Sequence, residues 1–443
     1  MKNIAIIPIA RTTFDIPYAT EMFQRTRNVL SQQGFSLSGP NELVTDTAQI
    51  PAILQELSAV PYDLMVLLYC SFADSSMAKQ IVETTSVPVL LWAFPEEPTG
   101  GRLRLNSLCG INLTGHSLHR ANKAYDYLYT LPEDPVALEK ISILANAGYA
   151  IRTLRGARIG RFGQHPNGFD SCIPNQDGLL NKLGVELVQV ELNDFFQRVQ
   201  AVPQTSMDPI HQQLTQELDG LEALDQPALN GTLRTYLALQ QVAQEENMNG
   251  MAVRCWPEFF TELGCAACGA MSMMTNQLIP CSCEADINGT VTQLMLQALS
   301  GESAFGTDLV HMDMAADTAV LWHCGLAPLS MADPLLKPRG IVHTNRKLPL
   351  LMEFTLKPGT VTLARLSEAT TQFELVIGKG EMLRAEKQFS GTSGLIRFDK
   401  PVSNVLDTIM SHGLEHHVSL TYGNYTAELA VIARYLKIPT LTL

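Results

Sequence analysis

The sequence lacks any concentrated run of lysine and arginine: 31 basic side chains are spread among 44 acidic ones, for a formal charge of −13. That balance argues against a nucleic-acid or anionic-membrane surface and makes small molecules the expected partners. Also missing is an apolar stretch near the roughly 18 residues that cross a bilayer. LMVLLYCSFA at 64–73 is too short and too rich in Cys and Ser. No small-residue cleavage site closes MKNIAIIPIARTTFD, which reads as a first β-strand, so a cytoplasmic protein is expected. Nine cysteines, an odd number in apolar neighbourhoods, fit reduced thiols better than a disulfide framework. Low-complexity segments and internal repeats are absent. RFGQHPNGFDS and GKGEM are glycine-containing turns that match neither a dinucleotide fingerprint nor a P-loop, and no G-x-S-x-G elbow supports serine-hydrolase chemistry.

What remains is a chain of 443 residues with 46% hydrophobic and 17% charged side chains, the profile of a compact globular protein of two to four domains. In the first third, apolar strands (NIAIIPIA, DLMVLLYCS, VPVLLWAF) alternate with helices near residues 18–33 and 75–85, as in parallel βαβ units covered on both faces. A long helical stretch over 116–154 leads to a second α/β unit containing ARIGRFG, VELVQVEL, a helix near 229–246, GMAVRCW and IPCSCEAD. The last third is β-rich, with turn signals at KPGT and GKGE, and closes in a strand, a glycine turn, a helix and a final strand. The fold class expected is α/β: two Rossmann-like α/β lobes (1–154 and 155–310) followed by a β-barrel-like C-terminal domain (311–443).

Glu284 and Asp286 follow a strand, the edge at which open α/β sheets bind ligands, and Asp308 and Asp313 come soon after. Carboxylates there suit Mg²⁺ or Mn²⁺. Asp286, ahead of Asn288 and Gly289, equally suits a helix N-cap, and both readings stand. Histidines follow at 311 and 323 and cluster at 412, 416 and 417, with His417 nearest the start of an apolar strand. Cys265 and Cys268 (CxxC) with Cys281 and Cys283 (CxC) have zinc-like spacing, but the small-residue context TELGCAACGAMSMM favours buried free thiols.

Three segments together resemble the superfamily of L-fucose and L-arabinose isomerases, which interconvert aldoses and ketoses. CEADINGTVTQLMLQALSG is similar to the segment carrying that family's metal-binding glutamate, which implies Glu284 as a ligand. AFGTDLVHMD places Asp308 at the spacing of the second acidic ligand. HHVSLTYGNYTAELAVIARYLKIP resembles the C-terminal motif, with His417 ahead of Gly423 as the ligand histidine. The resemblance implies one divalent ion, Mn²⁺ with Mg²⁺ or Co²⁺ as alternatives, held by Glu284, Asp308 and His417. It also implies an open-chain sugar gripped at C1 and C2, with proton transfer by Glu284 and Asp308 through an ene-diolate. Arg11, Ser71 and Phe72 would face the sugar, and a homo-oligomer with active sites near subunit interfaces is expected. L-Fucose, arabinose and a sulfonated hexose such as sulfoquinovose are the candidate substrates. A sulfonate would need a cation from among Arg11, Arg102, Arg104 and Arg346. The competing readings are a metal-dependent lyase or aldolase and a non-catalytic sugar-binding protein.

Overall fold

The computed structural model describes residues 2–443, which form two compact units: one runs to Arg152 and takes in Ala430–Lys437, the other comprises Thr153–Leu429 and Ile438–Leu443. In the first, strands β1 (Asn3–Ile9), β2 (Ser36–Ser38), β3 (Leu64–Tyr69), β4 (Val89–Ala93) and β5 (Asp126–Tyr129) make a parallel sheet in the order β2-β1-β3-β4-β5. The central strands are apolar at nearly every position because helices cover both faces. Phe23, Leu30 and Leu144 pack on one face, and Ile50, Ile81 and Ile111 on the other. Strand order reverses between β1 and β3, the point at which such sheets open a crevice beyond their carboxyl ends. Arg11, Ser71 and Phe72 lie there: the Arg11 amide donates to Ser71 Oγ at 2.9 Å, and the guanidinium sits 5.6 Å from the Phe72 ring centre while pairing with Asp74 at 2.6 Å.

The stretch 116–154 is not one helix. A helix ends at Arg120, β5 follows, and a new helix spans Pro135–Leu154. Asn122 takes a left-handed conformation (φ 51°) that stops the first helix, and Pro132 and Pro135 keep the chain non-helical until the second starts. The helical spacing on either side concealed a four-residue strand.

In the second unit a parallel sheet runs β7-β6-β8-β9, from β6 (Arg158–Phe162), β7 (Glu186–Val190), β8 (Gly250–Val253) and β9 (Cys281–Ser282). The chain then enters β10 (Phe305–Asp313), β11 (Thr318–His323), β12 (Arg339–Ile341), β13 (Leu351–Thr355), β14 (Gly359–Ser367), β15 (Glu374–Leu383), β16 (Thr392–Phe398), β17 (His417–Tyr422) and β18 (Thr440–Thr442). Pairing proceeds β16-β11-β10-β17-β14-β15 and returns from β15 to β16, closing a six-stranded barrel. A residue boundary at 310/311 therefore falls inside β10, and Asp308 belongs to a barrel strand. GKGE is not a turn either. It lies within β15, where Gly380 pairs with Val361 of β14 and Phe398 of β16, and a β-carbon on it would meet the Arg397 carbonyl at 2.5 Å. Glycine marks a close approach at the barrel seam. The reversal instead occupies residues 368–373, between β14 and β15.

No helix among the described residues is long and apolar enough to cross a membrane. A mutation tests the packing of the first unit. A β-carbon at Gly148, in the helix Pro135–Leu154, would overlap the Asp63 carbonyl ahead of β3. Gly148→Ala should therefore destabilise that unit by about 1–3 kcal/mol, seen as a lower midpoint in chemical denaturation, despite alanine's better helix propensity.

Candidate active site

The turn from β9 into the helix Ile287–Ser300 builds the centre of the site. Glu284 and Ala285 both adopt left-handed backbone (φ 60° and 56°), at about 1–2 kcal/mol each for residues with a β-carbon. The Asp286 amide closes the turn on the Cys283 carbonyl at 3.0 Å, and Asp286 Oδ1 then caps the helix by accepting from the Gly289 amide at 2.9 Å. Gly289 is needed there, since a β-carbon would overlap Asp286 Oδ2.

Of the readings the sequence left open, Asp286 takes the helix cap. Its second oxygen is buried beneath two partners: Arg365 Nη1 of β14 donates to Oδ2 at 2.5 Å, and His417 Nδ1 donates to the same oxygen at 3.0 Å. Asp286 is thus both the helix cap and the group that fixes the imidazole's orientation, as carboxylates do behind metal-binding histidines. Burial pushes the Asp286 carboxyl up, but the charge of Arg365 and the bond to His417 outweigh it and hold the group well below the usual carboxylate range. Arg365 is itself buried and reaches the Ser171 carbonyl at 3.2 Å and Glu415 Oε2 at 3.6 Å.

With Nδ1 engaged, His417 turns Nε2 toward two more carboxylates: Asp308 Oδ1 at 3.5 Å and Glu284 Oε2 at 3.8 Å. Asp308 and His417 are direct partners across the antiparallel β10/β17 ladder, which sets the first of these distances. Asp308 Oδ1 is buried and accepts no hydrogen bond. Glu284 is held from both sides, Oε1 accepting from Trp256 Nε1 at 3.2 Å and Oε2 from His416 Nε2 at 3.1 Å. Burial raises its carboxyl, yet the bond from His416 and the charge of His417 carry the balance below the ordinary value. For His417, burial disfavours the charged ring, but the bond to Asp286 and the three surrounding carboxylates reverse this and raise its pKa.

His417 Nε2 faces one oxygen of Glu284 and one of Asp308, the latter a buried acceptor without a donor, and Glu284, His416 and His417 each offer a donor atom within 4.8 Å of the others. That donor set fits a divalent cation of the Mg²⁺ or Mn²⁺ type with open positions for substrate oxygens. Cys172 also lies beside Asp286 and His417, but burial and then the charges of Asp286 and Glu284 push its thiol up, so it remains protonated. All nine cysteines are free, and the CxxC and CxC pairs gather no group of three metal donors among the described residues.

Glu284, Asp308 and His417 are therefore together, whereas Arg11, Ser71 and Phe72 lie in the other compact unit. His416 joins through Glu284, and the His323 ring lies 6.0 Å from that of His417, its pKa lowered by burial. His311 and Asp313 are exposed on β10, and exposed His412 ends the helix Val402–His412. Sequence reasoning missed Arg365 and Trp256. Arg365 had a weak signal, a lone arginine in the apolar strand TVTLARL; Trp256 had none.

Replacing Asp286 separates its two roles. Asp286→Asn retains a good cap but leaves the Arg365 guanidinium buried without its principal counter-charge. It should cost about 3–5 kcal/mol in denaturation of the metal-free protein and weaken any divalent-cation binding 10–100-fold by calorimetry.

Comparison with known proteins gives the chain its relatives. Residues 5–154 match the family described as fucose/sulfoquinovose isomerase, N-terminal domain, and residues 352–442 match L-fucose isomerase, C-terminal domain. A sulfoquinovose isomerase of Alkalicoccus urumqiensis is 34% identical over 99% of both chains. Its counterparts in Priestia aryabhattai and Clostridium sp. (strain MSTE9) are 31% and 27% identical, over 99% and 98% of both chains. With end-to-end likeness at this level and both terminal domains matched, the chain belongs to the fucose isomerase-like family and is an aldose–ketose isomerase.

Proposed function

We propose that this isomerase converts sulfoquinovose, a hexose with a sulfonate at C6, into its 2-ketose at a centre formed by Glu284, Asp308 and His417 around one divalent cation, with Mn²⁺ the preferred ion. The observation that carries the site assignment is the geometry at His417: Nδ1 is fixed on Asp286 while Nε2 faces Glu284 and Asp308 at 3.8 and 3.5 Å. The shared activity of the relatives, aligned over 99% of the chain, supports the substrate.

A cation bound there would polarise the carbonyl and offset charge developing on the two adjacent sugar oxygens. The chain's own residues do the rest. Trp256 and His416 fix the Glu284 carboxylate, and the β10/β17 pairing fixes Asp308. These two carboxylates move the proton between C1 and C2, one accepting it as base and returning it as acid. Two anionic donors and a neutral imidazole bring a divalent centre near neutrality, so any negative charge on the sugar must be met elsewhere in the pocket.

We assign the remaining sugar contacts to Arg11, Ser71 and Phe72 of a neighbouring copy in a homo-oligomer, supported by their place at a sheet's switch point. A division into three domains, with the barrel domain starting at β10 and not at 311, and a cytoplasmic location, in keeping with nine free thiols, complete the reading.

The direct test incubates EDTA-stripped protein, with and without Mn²⁺, with sulfoquinovose, L-fucose and arabinose. Mn²⁺-dependent ketose from sulfoquinovose without smaller fragments is expected. Absence of ketose while Mn²⁺ is bound would overturn the assignment, and two shorter products would indicate a lyase. Glu284→Gln and His417→Ala should each lower kcat by about 10²–10⁴-fold and weaken Mn²⁺ binding. His416→Ala should be milder, about 10-fold, because its Nε2 is already engaged by Glu284 Oε2 at 3.1 Å. A reversed ranking of the two histidines would sink the ligand assignment.

A further inference from the structure

Near Glu284 the structure holds a guanidinium without a counter-charge among the described residues. The loop after β12 carries His343 and Arg346. The His343 ring is buried edge-on against Phe260, with Nδ1 accepting from the backbone amides of Asn345 at 3.2 Å and Arg346 at 3.4 Å. Arg346 Nη1, which can only donate, lies 3.3 Å from Nε2. Burial and then the charge of Arg346 lower the His343 pKa to about 4, so the ring stays neutral and does not repel the guanidinium as a second cation.

The surroundings favour an anion at this point. Arg254, Arg365 and Arg384 in the same unit each pair with a carboxylate, whereas Arg346, like Arg161, Arg234, Arg339 and Arg397, forms no ion pair among the described residues. Its guanidinium lies over aromatic faces, 4.9 Å from the centre of Trp256 and 5.2 Å from that of Phe260. Those contacts hold the group in place and leave its edge, the bidentate anion-binding part, unused. Trp256 links this loop to the chemistry, since its indole N–H binds Glu284 at 3.2 Å while its ring supports Arg346.

We propose that Arg346, held by His343, Trp256 and Phe260, receives the sulfonate of the sugar and determines selectivity for an anionic substrate; this rests on the reading of the protein as a sulfoquinovose isomerase. The contacts through Trp256 place the guanidinium no more than about 10 Å from Glu284, and an extended six-carbon sulfonate spans about 8 Å from C1 to sulfur at bond lengths of about 1.5 Å, so a sugar held at C1 and C2 by the carboxylates can direct its sulfonate toward Arg346. Arg346 is thus a specificity residue, and Trp256 the spacer between the two ends of the substrate.

The test compares kcat/KM for sulfoquinovose with that for its neutral 6-deoxy analogue in the Mn²⁺-loaded enzyme. The competitive inhibition constant replaces turnover where the analogue does not react. Arg346→Gln should reduce the sulfonated-to-neutral ratio by about 100-fold, mostly through KM, and Arg346→Lys by about 10-fold, since a point charge survives without the fork. Mn²⁺ affinity, read by calorimetry, should stay within about threefold in both. A ratio unchanged in both variants, or a loss shared equally by the two sugars together with weakened Mn²⁺ binding, would overturn the proposal and leave Arg346 as a prop for Trp256. Failure of the unmutated enzyme to isomerise sulfoquinovose, while it isomerises the neutral sugar, would instead overturn the substrate reading beneath it.

Discussion

One buried carboxylate organises the second unit. Asp286 joins a helix N-terminus, a barrel guanidinium and a strand-initiating imidazole through two oxygens, and it is 1% exposed. An ion pair taken wholly out of water gains little net free energy, because desolvation of both charges offsets their attraction. Its return lies in specificity. With Arg365 on β14, His417 on β17 and Asp286 ahead of the helix Ile287–Ser300, only one relative placement of the parallel-sheet connection and the barrel satisfies all three. Any other placement strands a charge in an apolar core at several kcal/mol.

From that constraint the rest of the centre follows. The two left-handed residues before Asp286 are the shortest way to turn from β9 into a helix and still project the Glu284 carboxylate toward the barrel. Their strain is tolerated because both flanks are fixed, by β9 on one side and the Asp286 cap on the other. Asp308 needs no such device, since the β10/β17 register places it opposite His417. One acidic group thus comes from a strained turn and the other from a regular ladder.

This difference also explains how much could be read from the sequence. Apolar strands alternating with helical spacing gave the α/β lobes, and strand-turn patterns gave the barrel, because period-2 and period-3.6 burial are local properties. Glu284, Asp308 and His417 were legible through motifs of fixed spacing, within which Asp286 could be read as a cap. Arg365 was not, because what sets it apart, burial beside Asp286, depends on a contact 79 residues away. GKGE read as a turn because glycine lets a chain reverse and equally lets two strands approach at a barrel seam; only the partner strand distinguishes these. β5 was hidden because four residues carry too little periodicity to stand out between two helices.

Charge adds a last step. Glu284, Asp286 and Asp308 face His417 and Arg365 within a small buried region, and both partners of Asp286 are committed to it. Glu284 and Asp308 both draw on the His417 ring, and Glu284 also on His416, which favours the charged imidazole at His417. On the proposed reading a divalent cation would take the place of that proton, the carboxylates that favour the imidazolium being the groups that would hold it. Asp286, bound to Nδ1, fixes the ring so that Nε2 faces Glu284 and Asp308, the preorganisation such a centre would require.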